Sequence, residues 1–164
     1  MKTQPQFINS KMVIKSTDGN LPHLETNDCS VYAIANALSI SYTEAHKIVQ
    51  EECGRQNKKG VMALQYMNYL LTIGTHVIGE EKAWEVAPWN GRPIYKYSAP
   101  KRIGKKTGLI RSMNVRQFCE MYPTGTFIVC VANHTFTIID GTIIGNMKDG
   151  AKLKTEISFA VKIN

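Results

Sequence analysis

The chain has no closely spaced cysteine pair. Its four cysteines, Cys29, Cys53, Cys119 and Cys130, are scattered without a CxxC. That argues against the disulfide scaffold of small secreted domains and for free thiols in a reducing cytoplasm. No Cys/His pair has zinc-ligand spacing; His46 and Cys53 sit seven apart on one predicted helix, so no metal is expected. There is no apolar run long enough to span a bilayer, so no transmembrane segment is expected. The opening Met1-Lys2-Thr3-Gln4-Pro5-Gln6 lacks the apolar core of a signal peptide. Internal repeats and low-complexity tracts are absent. Acidic side chains are in deficit: 13 Asp and Glu stand against 20 Lys and Arg, a formal charge of +7. That balance raises the chance of an acidic or nucleic-acid partner but says nothing about fold. What is present is 164 residues at 43% hydrophobic content, enough for one domain, residues 1–164, with its own core.

One stretch organises the rest: Thr26-Asn27-Asp28-Cys29-Ser30-Val31-Tyr32-Ala33-Ile34-Ala35-Asn36-Ala37-Leu38. Asn27 or Asp28 is the expected helix cap, which places Cys29 in the first turn. The run after it is apolar all round, the mark of a buried helix. A thiol at a helix N-terminus meets unpaired N–H groups and the positive dipole end, which favour thiolate. Asp28 opposes this, because a neighbouring negative charge favours the protonated thiol. The alternative reading of Cys29 is one more small core residue.

Upstream, Met12-Val13-Ile14 reads as a short strand before an Asp18-Gly19-Asn20 turn and Pro22. Ser41-Tyr42-Thr43-Glu44 is a capping box, opening a helix through Ala45, Ile48, Val49 and Glu52 that Gly54 stops after Cys53. A third helix follows Gly60, with Val61, Leu64, Met67 or Asn68, and Leu71 on one face, and ends at Gly74. Thr75 to Ile78 reads as a strand. Residues 79–113 resist a regular reading, with room for a short strand from Pro93 to Tyr97. Asn114 caps a short helix, Val115 to Tyr122. The last 40 residues read as a β-meander: Thr126 to Ala132, His134 to Ile139, an Asp140-Gly141 hairpin turn, Thr142 to Ile144, and Ile157 to Ile163. Helices first and an antiparallel sheet last is the α+β pattern.

A cysteine nucleophile needs a base and a group to orient it. Of the four histidines, His46 falls on the apolar side of its helix, His76 in a short strand, and His23 six residues before Cys29. His134 opens an apolar strand, where an imidazole is costly unless partnered. From 29 to 134 the separation is 105 residues. Papain-type enzymes place the histidine roughly 130 residues beyond the cysteine.

Asn27-Asp28-Cys29-Ser30-Val31-Tyr32-Ala33 resembles the cysteine helix of papain-like cysteine peptidases, above all the leader peptidases of bacteriocin exporters and compact phage and bacterial relatives. Ser41-Tyr42-Thr43-Glu44-Ala45 resembles their second helix. Val115-Arg116-Gln117-Phe118 and Tyr122 to Val129 resemble the elements that lead to their histidine. His134-Thr135-Phe136-Thr137-Ile138-Ile139-Asp140-Gly141 resembles the histidine strand and its hairpin. The likeness touches about half of the chain. It implies a papain-like α+β fold, with N-terminal helices, the cysteine helix first, packed on a C-terminal antiparallel sheet.

The resemblance further implies a thiol hydrolase that cleaves an amide, isopeptide or thioester bond of a protein or peptide substrate through an acyl-enzyme, without a cofactor. Cys29 is then the nucleophile and His134 the base. The family's third member is an Asn or Asp on the next strand. Asn146 is the candidate, although a two-residue turn puts His134 opposite Met147 and needs a bulge at Gly145 to bring Asn146 round. Asp140 is the rival, already explained by its turn. The family's oxyanion glutamine is replaced here by His23, which leaves His23 and Asn27 as side-chain donors beside the Cys29 N–H. Lys101, Arg102, Lys105, Lys106 and Arg111 make the irregular segment basic. They read first as a solvated loop and second as a grip on an acidic partner or, less favoured, a nucleic acid, with Tyr95 and Tyr97 near enough to stack on bases. The rival to the enzyme is a non-catalytic binding protein that uses this loop. The compact relatives suggest a phage or bacterial protein acting in the cytoplasm on a host protein.

Overall fold

The computed structural model describes residues 4–9, 26–78, 83–97, 113–145 and 153–164. The expected strand at Met12-Val13-Ile14, the Asp18-Gly19-Asn20 turn, and residues His23, Lys101, Arg102, Lys105, Lys106, Arg111, Asn146 and Met147 lie outside them.

Three helices follow one another: α1 (Cys29–Leu38), α2 (Tyr42–Cys53) and α3 (Ala63–Ile73). Ser30 through Asn36 of α1 are all buried, as an all-apolar helix requires. α2 is closed by the capping box: the Ser41 hydroxyl accepts from the Glu44 N–H, and the Glu44 carboxylate accepts from the Ser41 N–H. Gly54 ends it in the left-handed conformation at φ 67, and a Cβ there would stand 2.9 Å from the Trp89 ring. α3 is rotated from the expected face. Tyr66 and Leu70, one turn apart, are its buried pair, while Leu64, Met67 and Leu71 are half-buried.

The sheet has six strands in the order β1-β7-β6-β5-β8-β2, from β1 (Phe7–Asn9), β2 (Gly74–Ile78), β5 (Thr126–Val131), β6 (His134–Ile139), β7 (Thr142–Gly145) and β8 (Phe159–Ile163). The expected meander is present as β5-β6-β7, but the last strand crosses to the far side of β5. Two features depart from helices-first and antiparallel. β1 precedes the cysteine helix, and it runs parallel to β7, Phe7 opposite Ile143 and Asn9 opposite Gly145. Gly74 stops α3 but also opens β2, where a Cβ would lie 2.6 Å from the Lys162 carbonyl oxygen. The molecule is thus α+β with a mostly antiparallel sheet.

Residues 83–97 hold two strands where sequence offered one, from Pro93 to Tyr97. β3 (Ala83–Trp89) and β4 (Arg92–Tyr97) form a separate hairpin around Asn90 and Gly91, both at positive φ. Asn-Gly between two strands is the signal for such a turn. The hairpin is pinned to α3 by Asn68, whose side-chain amide donates to the Tyr95 carbonyl at 2.8 Å and accepts from the Tyr95 N–H at 3.0 Å.

Strict alternation divides the sheet between two cores. Ile128, Cys130, Phe159 and Val161 face α1–α3. Phe127, Val129, Phe136, Ile138, Ile143 and Ala160 face the other way, onto α4 (Val115–Met121). α4 starts on an Asn114–Gln117 capping box. On the first face Thr137 is fully buried and donates its hydroxyl to the Ala33 carbonyl at 2.9 Å, fastening α1 across β6.

Candidate functional site

Cys29 is the first residue of α1 and Asp28 occupies the N-cap position, yet the Asp28 side chain makes no capping bond. Its carbonyl accepts the Val31 and Tyr32 N–H groups at 3.0 and 3.1 Å, while its carboxylate accepts the Tyr42 hydroxyl at 2.7 Å. Burial, reinforced by this carboxylate, pushes the Tyr42 phenol well above its ordinary value, so Tyr42 remains a donor. Asn27 is no cap either; its amide donates to the Lys58 carbonyl at 3.2 Å.

A cleft of about 910 Å³ opens at this end of α1. Cys29, Asp28 and Asn27 line one side, and His134 and Thr135, at the start of β6, line the other. Tyr66 and Cys130 form part of the wall. The alternation of β6 puts Thr135 and Thr137 beneath α1, and His134 with Phe136 on the opposite sheet face, where the two rings stack at 5.9 Å. His134 and Phe136 nonetheless both line the cleft. Asn133, in the turn before β6, sits at φ 57 and lines the cleft as well.

The four thiols are sorted by burial. Cys29 is partly exposed; Cys53, Cys119 and Cys130 are buried. Burial pushes Cys53 up to about 12, Cys119 up to about 11 and Cys130 up to about 12. Tyr66 is raised too, chiefly by burial, and its hydroxyl donates to the Ser30 carbonyl at 3.4 Å.

Of the residues singled out by sequence, Cys29, His134 and Asn27 share the cleft. Asp140 does not. At φ 47 it forms the β6–β7 turn with Gly141, and its carboxylate accepts the Gly125 N–H at 2.8 Å. That lies about 20 Å along the strand from His134 at ordinary strand rise. His46 is buried in α2 and accepts from Arg55, and the His76 ring packs tilted against Phe159 at 4.8 Å; neither lines the cleft. Asn9 was missed by sequence and lines the cleft from the edge strand opposite Gly145. Nothing local marks it, because its place depends on pairing with a strand more than 130 residues away. Among the described residues no group of three or more His, Cys, Asp or Glu could hold a metal, and no helix is long and apolar enough to cross a membrane.

A thiol at a helix N-terminus across a cleft from an imidazole is the equipment of nucleophilic acyl transfer. The chain matches no protein-family model, no curated protein and no solved structure.

Proposed function

We propose that the protein is a cysteine-dependent hydrolase of papain-like organisation. One observation carries the reading: the single thiol that stands outside the core opens onto the cleft that His134 also lines. His134 takes the Cys29 proton as sulfur attacks a substrate carbonyl. The sulfur–carbon bond forms, the amide, isopeptide or thioester bond breaks, and His134 returns the proton to the leaving amine or thiol. Water, deprotonated by the same imidazole, then attacks the acyl-enzyme, releasing the acid and the free thiol. The helix N-terminus supplies the Cys29 N–H to the oxyanion, with Asn27 as a side-chain donor. Asn146 is the orienting residue that the family resemblance implies. By the same analogy the substrate is a protein or peptide, and the setting a bacterial cytoplasm with phage origin.

The test is alkylation by iodoacetamide with peptide mapping, on the native chain and on His134→Ala. Rapid, selective labelling of Cys29 that drops at least tenfold in His134→Ala supports the hydrolase. Equal, slow labelling of Cys29 in both proteins rejects it and leaves the basic binding protein.

A further inference from the structure

The three residues before Cys29 are held by the Lys58 carbonyl, Arg55 and Tyr42, none of which the acyl-transfer chemistry uses. Asn27 sits at φ 52, in the left-handed region that asparagine tolerates better than most residues. Its amide and the Thr26 hydroxyl both donate to the Lys58 carbonyl at 3.2 Å. Beneath them lies Arg55, just past the end of α2 and only 3% exposed. One guanidinium nitrogen donates to the Thr26 carbonyl at 3.0 Å, and the other donates to His46 Nε2 at 3.0 Å. Tyr42, fully buried on the first turn of α2, donates to the Asp28 carboxylate. The Tyr42 ring lies 6.0 Å from that of His46, so Asp28, Tyr42, His46 and Arg55 form one cluster.

A guanidinium is expensive to bury, and a residue at a helix end has solvent within easy reach. Its fork geometry fits two acceptors at fixed angles, which a flexible ammonium does not do. Both acceptors here are fixed points: a ring on α2 and a carbonyl three residues before the thiol. We propose that Arg55, together with Tyr42, is the positioning residue for Cys29, locking Thr26–Asp28 to α2 so that the sulfur is held in register with His134. This rests on the hydrolase reading above. A nucleophile displaced by about 1 Å loses up to about 100-fold in rate, so a rigid approach to α1 has direct catalytic value.

The variants are Arg55→Met, Arg55→Lys and Tyr42→Phe, assayed in the full chain by iodoacetamide labelling of Cys29 and by turnover of p-nitrophenyl acetate. Arg55→Met is expected to lower both rates about tenfold, with kcat falling and KM held. Arg55→Lys should recover part of the loss, because one donor still reaches one acceptor. Faster amide exchange over residues 27–31, with the rest of the chain unchanged, is the accompanying signature. Tyr42→Phe removes a single oxygen and decides the matter if Arg55→Met does not fold. Folded variants that label Cys29 at the native rate, while His134→Ala stays slow, overturn the positioning role and leave the hydrolase intact. Native Cys29 that reacts no faster than in the unfolded chain overturns both.

Discussion

Burial holds Cys53, Cys119 and Cys130 protonated far above neutral pH, whereas Cys29 stands partly in solvent. At pH 8, brief treatment of the native protein with iodoacetamide is therefore expected to add one label, on Cys29, and four labels in denaturant. Mass spectrometry of the intact chain checks this; a second rapidly labelled site would break the assignment. His76 gives a pH prediction of its own. Burial holds its imidazole below the ordinary value, with a hydrogen bond to the Ile78 backbone opposing. Between the lowered value and about 6.5 the unfolded chain binds more protons than the native one, so stability rises with pH. The contribution is whole above that window and is lost as pH falls through it. His76→Phe keeps a ring against Phe159, so its urea midpoint should drop less between pH 7 and pH 5 than that of the native chain. Equal drops would refute the role. Cys29 and His134 could be picked out from sequence because each carries a local mark, a polar cap before an apolar helix and an imidazole opening an apolar strand. Arg55 carries none: beside Gly54 it reads as the end of a helix, and only the fold reveals the Thr26 carbonyl beside it.

Elements whose cause is local were legible. Ser41 with Glu44, Asn114 with the short helix and Asp140 with Gly141 all act within four residues, and each element stands where its signal put it. β1 was not legible, because three residues become a strand only when the edge of β7 is there to pair with. Within residues 83–97 the expected Pro93–Tyr97 strand stands as β4, but prolines and charges obscured β3 and the Asn90-Gly91 turn that joins the two. The face of α3 was misplaced for a related reason: Tyr66 is polar enough to be read as surface, yet its hydroxyl finds the Ser30 carbonyl and the ring is buried. The fastening of α1 to β6 by Thr137 is testable at this scale. Thr137→Val keeps the shape and removes the bond to Ala33, which should cost about 1 kcal/mol in chemical denaturation. A change near zero would mean that packing alone seats the helix.

The sheet is the shared floor of two cores, and that decides how damage on one side reaches the cleft on the other. Phe118 lies fully buried beneath the sheet, edge-on to Phe127 at 5.2 Å and against Tyr122 at 4.8 Å, on the face away from α1. Phe118→Ala opens a cavity there and is expected to cost about 3–5 kcal/mol, a large share of the roughly 5–15 kcal/mol that holds a domain together. Because β5 and β8 contribute alternate residues to both cores, the two cores are expected to melt together. Unfolding of Phe118→Ala should then remain one transition, with urea exposure of Cys53 above the sheet and of Cys119 below it coincident and shifted together to lower denaturant. Below that transition Cys29 should label at its native rate, since the parts that hold it lie on the helical side. Separate transitions for Cys53 and Cys119 would mean that the two cores are independent. Loss of Cys29 reactivity in the folded variant would mean that the cleft depends on packing beneath the sheet as well as on the grip of α2.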